Sequence, residues 1–272
     1  MTLSLSVRSS VRVLQVLLTA ILVLTVLSLI GSYAKWELGH PRLLGFVPEF
    51  QLDAERNIPT YFSGLLLLGG AGLLFLVARL VGEQQGRFRR HWTALGGIFV
   101  YLSVDEITSL HERLIEPGRA FLEGAGASGY VGGVFYFAWV VPAIALLLIF
   151  ALSYVRFFWH LPRRWQGLFA VAGIIYVGGA LGLELVGGWY FVQAGGGSLF
   201  TSLLATLEEV MEMSGMALFV YALLEYLRAH LSGVYIALHE GREAAEGAAR
   251  RRGAEEQNGR AVDHNTFPST SV

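Results

Sequence analysis

The chain has 272 residues, of which 54% are hydrophobic and only 15% are charged, and its formal net charge is −1. Soluble domains carry about 25% charged residues, so this composition is typical of a membrane protein. Cysteine is absent, which excludes disulfides, thiolate metal sites and a cysteine nucleophile. The charge is close to neutral and forms no broad basic face, so we predict no binding to nucleic acid.

Six apolar segments are long enough to cross a membrane, which takes about 20 residues each. We place them at Val13–Tyr33, Tyr61–Val81, Thr93–Leu114, Val131–Val155, Leu168–Phe191 and Leu199–Leu227. The predicted fold class is therefore all-α, a polytopic transmembrane helical bundle of about six spans. We predict two parts, a transmembrane domain over residues 1–229 and a polar, partly disordered cytoplasmic tail over residues 230–272.

Arginines predict how the bundle is oriented. They cluster before the first span, between the second and third, between the fourth and fifth, and after the sixth. The positive-inside rule then places both termini in the cytoplasm. A second interpretation of the first span is a cleaved signal peptide, because Arg8, Arg12 and an apolar run precede the small-residue stretch Ser32-Tyr33-Ala34. Cleavage would leave five spans in the same orientation.

Acidic side chains lie inside three of these predicted spans, where a charge at the helix centre costs about 2.5–3.5 kcal/mol. The ionisable residues concerned are Asp105, Glu106, His111, Glu112, Glu184, Glu208, Glu209 and Glu212. At 1.5 Å per residue, they reach similar depths in the outer half of the bundle. Nothing comparable is expected in the inner half.

The helical period brings these acids onto shared faces. On a continuous third helix, Asp105, Ser109 and Glu112 fall on one stripe, and Glu208 and Glu212 lie one turn apart on the sixth helix. This pattern predicts a polar seam inside the bundle. Gly178 and Gly182 form a GxxxG step, which predicts close helix packing nearby.

The loop before the second span adds three possible ligands. Asp53, Glu55 and Asn57 alternate along it on the outer side, as oxygen ligands do in the first half of a calcium loop. The same residues also suit a simple approach to a helix that Pro59 opens. Both interpretations stay open.

Three arrangements would compensate so many carboxylates. The first is a divalent metal held mainly by oxygen, for which Mn, Fe, Mg or Ca are suitable. The second is proton handling, since crowded carboxylates cannot all ionise. The third is a neutral hydrogen-bonded seam. We expect no haem, no nucleotide and no retinal, because no span contains a histidine pair or a lysine and no nucleotide-binding loop is found.

Three motifs together resemble an uncharacterised family of bacterial multi-pass membrane proteins. They are LDxExNIPT from Leu52, DE-x4-HE from Asp105 and LEE-x2-E from Leu207. The resemblance covers about Leu52 to Met216. It implies a location in the bacterial inner membrane and no established activity.

Function remains a choice between three hypotheses, all with the lipid bilayer as a partner. The first is a metal-binding protein or metal-dependent membrane enzyme, whose small or lipidic substrate would enter from the outer side. The second is a proton- or cation-coupled transporter, and the third is a structural subunit of a membrane complex or homo-oligomer. The outer position of the acids favours the first, because a transporter needs access from both sides. Catalytic residues are not assigned.

Overall fold

The computed structural model describes the backbone of residues 7–126, 129 and 133–262, and the side chains of residues 8–126, 129 and 133–230. Within these residues all regular structure is helical, which confirms the all-α prediction. The α-helices are α1 (Val7–Trp36), α2 (Phe46–Phe50), α3 (Ile58–Glu83), α4 (Arg89–Thr108), α5 (Ile115–Gly124), α6 (Val140–His160), α7 (Arg163–Val177), α8 (Glu184–Gln193) and α9 (Leu199–Val262). Short 3₁₀ turns cover Leu43–Gly45 and Glu112–Leu114, and a π-helical turn over Gly178–Leu183 joins α7 to α8.

Five helical segments in the described part of the chain are long and apolar enough to cross a membrane. They are Arg8–Trp36, Ile58–Glu83, Val140–His160, Arg163–Gln193 and Leu199–His230. The chain thus has the helices of a membrane protein. The fourth predicted span begins at Val140 rather than at residue 131, which lies outside the described residues. Helix α4, the predicted third span, is less apolar because it carries charged side chains at both ends.

The third predicted span ends earlier than its sequence pattern indicates. Helix α4 stops at Thr108, and Ser109 adopts a left-handed backbone conformation with φ of 51°. The Asp105 carboxylate then accepts the His111 backbone N–H at 2.9 Å, which stabilises a turn in place of further helix. The prediction of one stripe from Asp105 to Glu112 is therefore wrong, because His111 and Glu112 lie beyond the helix end.

Helices α3 and α4 form a close antiparallel pair. Small residues permit the approach, since Gly64 lies against Ile107 and Gly96 lies against Phe75. The Ser103 hydroxyl also donates a 2.7 Å hydrogen bond to the Gly64 carbonyl oxygen. This pairing places the start of α3 beside the end of α4.

The α7–α8 segment packs tightly against α9. Of the two glycines of the predicted GxxxG step, Gly178 takes part, since a Cβ atom there would lie 3.2 Å from Met211 Cε. A Cβ atom on Gly179 would lie 2.8 Å from the Glu208 carbonyl oxygen, and one on Gly215 would lie 2.7 Å from the Tyr176 nitrogen. A Cβ atom on Gly182 would meet no atom of the described residues within 4 Å. Close approach therefore depends on Gly179 and Gly215.

Helix α1 connects the loop before α3 to α9. The Ser28 hydroxyl accepts the Leu52 backbone N–H at 3.1 Å and lies 3.5 Å from the Thr206 hydroxyl. Leu52 is buried in a core cluster with Met213 of α9. These contacts fix the loop that carries Asp53 and Glu55.

Residue contacts divide the chain into two units, Met1–Tyr226 and Leu227–Val272. In the second unit the backbone stays helical to Val262. The predicted disorder of the tail concerns in part residues 263–272, which lie outside the described residues. The proposed boundary between domain and tail remains a prediction.

Candidate acidic site

The loop before α3 is organised around Asn57. Its amide nitrogen donates to the Gln51 carbonyl oxygen at 2.7 Å, and its amide oxygen accepts the Thr60 backbone N–H at 3.1 Å. Asn57 is buried and acts as the N-cap of α3, with Pro59 in the first turn. Both amide atoms are thus engaged by the protein, whereas Asp53 and Glu55 remain exposed. Of the three predicted loop ligands, only the two acids present a free side chain in this arrangement.

At the end of α4, Asp105 holds His111 through both carboxylate oxygens. One oxygen accepts the His111 backbone N–H, and the other lies 2.9 Å from His111 Nδ1. Burial lowers the pKa of His111, whereas the hydrogen bond and charge of Asp105, together with the charge of Glu112, raise it by a larger amount. The pKa therefore lies above its ordinary value. The contact fixes the ring and leaves Nε2 for another partner.

A tryptophan joins this histidine to the next acid. The Trp139 ring lies 4.8 Å from the His111 ring, centroid to centroid, and Trp139 Nε1 donates a 2.8 Å hydrogen bond to Glu184 Oε1. Glu184 is the first residue of α8, directly after the π-helical turn. Turns of this kind are frequent at functional sites, because they change the direction of the side chains that follow.

Glu184 in turn contacts α9. Its carboxyl group faces that of Glu208, and the two groups interact directly. A continuous series of contacts therefore runs from Asp105 through His111, Trp139 and Glu184 to Glu208.

Three further acids complete the group. The Ser63 hydroxyl lies near Glu106, and the charges of Glu106, Glu209 and Glu212 act on one another. We use the name acidic cluster for Asp105, Glu106, His111, Glu184, Glu208, Glu209 and Glu212. Among the described side chains, no lysine or arginine lies within ion-pair distance of any of these acids.

Glu112 lies apart from the cluster, in an open recess of about 510 Å³ beside it. The recess is lined by Glu55, Arg56, Thr108, Ser109, Glu112 and Arg113. Desolvation raises the pKa of Glu55, and the charge of Glu112 raises it further. The recess and the cluster are adjacent, since the charge of Glu55 acts on Glu106 and Glu209.

Asp53 lies between the two regions. Desolvation by the surrounding protein raises the pKa of its carboxyl group to about 6, with Lys35 opposing the rise and Glu112 adding to it. The residue keeps an accessible surface, so the desolvation acts on a group open to solvent on one side. Asp53 can therefore gain or lose a proton near neutral pH.

The donor types suit a hard metal ion, but the present side-chain positions do not form a coordination shell. No three His, Asp or Glu side chains among the described residues are arranged to hold a metal ion. The Glu184 carboxyl group instead accepts a hydrogen bond from Trp139 and faces Glu208, and Glu106 lies near Ser63. The metal site predicted from the sequence remains a prediction.

Two residues of functional interest were not predicted from the sequence. Trp139 belongs to an aromatic run that is typical of the start of a membrane span. The sequence therefore does not indicate that its indole N–H binds an acid. Glu225 is only 1% exposed, and its Oε2 lies 3.5 Å from Arg164 Nη2. It lies 17 residues after Glu208 on α9, about 25 Å along the helix. A single acid beside an arginine is not a second cluster, so the expectation that nothing comparable lies in the inner half stays a prediction.

The chain matches a domain of unknown function (DUF8692) over residues 13–226. This match covers most of the sequence and all of the acidic cluster, so the chain belongs to the DUF8692 family. No curated protein matches the chain, and no solved structure matches it.

Proposed function

We propose that this member of the DUF8692 family is a multi-pass protein of the bacterial inner membrane whose acidic cluster binds a divalent cation in exchange for protons. The membrane would be crossed by α4 and by the five more apolar segments, with both termini in the cytoplasm. The recess would then open on the outer side. Mn²⁺, Fe²⁺, Mg²⁺ and Ca²⁺ are the candidate ions, because the donors are mainly carboxylate oxygens.

The absence of arginine and lysine partners for the cluster among the described side chains carries this proposal. Carboxylates buried together in a medium of low dielectric need either protons or a cation, and no described arginine or lysine supplies the charge. In the proton-loaded state of this proposal, the neighbouring carboxyl groups of Glu184 and Glu208 would share a proton. Rotation of these carboxyl groups toward a common point would produce the cation-loaded state.

The Asp105–His111 contact favours a metal over protons alone. Histidines that bind metals usually donate their second ring nitrogen to a carboxylate, which fixes the ring and increases its basicity as a ligand. Here Asp105 occupies Nδ1 and leaves Nε2 available. Asp105 would then be a positioning residue, and Glu106, His111, Glu184, Glu208, Glu209 and Glu212 would be the ligand candidates.

Metal analysis of the purified protein tests the proposal. The detergent-solubilised parent is incubated with each of the four ions, desalted and analysed by mass spectrometry. We expect stoichiometric metal in the parent and none in a folded E208Q/E209Q variant. E83Q is the matched control, because Glu83 is an exposed acid at the other end of α3 that pairs with Arg79. Absence of metal from the parent with all four ions would refute the proposal.

If the cation binds in exchange for protons, metal uptake should release protons into the solution. Ligands must be deprotonated to bind, so affinity should rise with pH. A weakly buffered solution with a pH indicator would report this release when the ion is added. Uptake without proton release would support a metal site but contradict the exchange.

A second candidate function is proton- or cation-coupled transport, which the position of Glu225 favours. This acid is buried about 25 Å from Glu208 along α9, so ionisable groups are found toward both ends of the bundle. Flux of protons or of the bound ion across liposomes would identify a transporter. We would expect E225Q to reduce that flux while leaving metal binding intact. Binding without flux would leave the cation-binding protein, or a metal-dependent enzyme built on it.

A further inference from the structure

The recess presents two acids and two bases that form no direct ion pair among the described side chains, although the charge of Arg56 acts on Glu55. Glu55 and Arg56 come from the loop before α3, and Glu112 and Arg113 come from the 3₁₀ turn after α4. Among the described side chains, none of the four takes part in an ion pair within 4 Å. The recess also includes Ser109, which is 7% exposed and whose hydroxyl has no hydrogen-bond partner in the part of the chain that the structure describes.

The two acids are close enough to repel each other. The charge of Glu112 raises the pKa of Glu55, after desolvation as the larger cause. Two carboxylates in this relation attract a cationic group that can approach both. The guanidinium groups of Arg56 and Arg113 are suited to an anion with several oxygen atoms, because each can donate two parallel hydrogen bonds.

We propose that the recess binds a zwitterionic aminophosphate, such as the phosphoethanolamine group. Its ammonium would lie at Glu55 and Glu112, and its phosphate would lie at Arg56 and Arg113. A ligand with both charges satisfies all four side chains, whereas a simple anion or cation would meet repulsion from one pair. The volume of about 510 Å³ is within the usual range of about 300–1,000 Å³ for small-molecule sites.

The same chemistry is found in a phospholipid headgroup and in free phosphoethanolamine. Exposed apolar side chains in the segment that follows Arg113 favour the lipid, since Leu114 is 48% exposed and Phe121 of α5 is 74% exposed. Such side chains could contact acyl chains at the membrane surface. The proposal depends on the membrane placement given above but does not require the metal.

Binding measurements in EDTA separate this proposal from the metal site. The detergent-solubilised full chain is titrated with dihexanoyl-phosphatidylethanolamine, with the choline and glycerol analogues, and with free phosphoethanolamine. We expect the ethanolamine lipid to bind at least tenfold more tightly than the choline lipid, which has no N–H donors, and the glycerol lipid, which has no positive charge. Free phosphoethanolamine that binds equally well would identify a soluble ligand, and tenfold weaker binding would identify the lipid.

Paired variants test which side chains are responsible. R56Q/R113Q should weaken ethanolamine-lipid binding at least tenfold, and E55Q/E112Q should abolish the preference over the glycerol lipid. R42Q and E49Q are controls, because they remove exposed charges of the same types from outside the recess. Equal affinity for all three lipids in the parent, or unchanged binding in both double variants, would overturn the proposal.

Discussion

Trp139 donates a 2.8 Å hydrogen bond to Glu184 while its ring lies 4.8 Å from that of His111. One side chain thus joins the turn after α4 to the start of α8. Neither helix alone would bring these groups together. The acidic cluster therefore depends on the segment before α6, which contributes no acid to it.

Replacing Trp139 with Phe should destabilise the fold. The ring remains, but the Glu184 carboxyl group loses its indole donor, and the loss of such a partner costs about 1–3 kcal/mol for a buried group. Thermal unfolding in detergent, followed by helical circular dichroism, measures the effect. W189F is the matched control because Trp189 is 47% exposed. Equal unfolding midpoints for the two variants would contradict the role of the hydrogen bond.

Adding a methyl group at Gly215 should also destabilise the protein. The new Cβ atom would lie 2.7 Å from the Tyr176 nitrogen and 2.9 Å from the Ala172 carbonyl oxygen, so α7 and α9 must separate. Such overpacking costs about 1–3 kcal/mol. G173A is the control, because a Cβ atom there meets nothing within 4 Å. That substitution should be neutral or stabilise the helix by up to about 1 kcal/mol.

The D105N variant should lower the pKa of His111. Burial lowers the parent value, but the hydrogen bond and charge of Asp105, together with the charges of Glu112 and Glu184, raise it above the ordinary one. Without that charge, burial dominates and favours the neutral ring. Nitrogen-15 NMR of labelled histidines measures the titration, with H111Q to assign the signal. An unchanged pKa would show that the Asp105–His111 contact is absent in solution.

Asp53 should make stability fall as pH rises. Its pKa is about 6 in the folded protein against 3.8 as the ordinary value, so the folded state binds more protons between these limits. The contribution of Asp53 to the free energy of unfolding is fully present below about pH 4 and is lost as the pH rises from about 4 to 6. D53N removes the titration, so its advantage in unfolding midpoint over the parent should be larger at pH 7 than at pH 4. An advantage independent of pH would contradict the raised pKa.

The long apolar helices could be predicted from the sequence, because length and hydropathy alone determine whether a helix can span a membrane. Their ends could not. Helix α4 stops where Asp105 captures the N–H of His111, and Ser109 turns into a left-handed conformation that no apolar pattern signals. The prediction of a continuous third span failed for this reason.

The acids of the cluster could be predicted because charge is rare in apolar segments. Their partners could not, since Trp139 and Ser63 are ordinary residues of membrane helices until the fold places them beside Glu184 and Glu106. Glu225 was missed for a different reason. It lies close to the end of its span, where an acid normally reaches water, whereas here it is buried and faces Arg164.

The π-helical turn at Gly178–Leu183 has a consequence for the register of the helix that follows. A π turn accommodates about one residue more than an α-helical turn, and one residue corresponds to about 100° of rotation. The π turn takes up this residue without rotating the helix on either side, so deletion of a single residue here would restore a regular helix and leave Glu184 facing Trp139 and Glu208. The phase of α8 therefore tolerates a change in length at this turn, whereas a deletion within regular α7 would rotate Glu184 by about 100° and disconnect the two halves of the cluster.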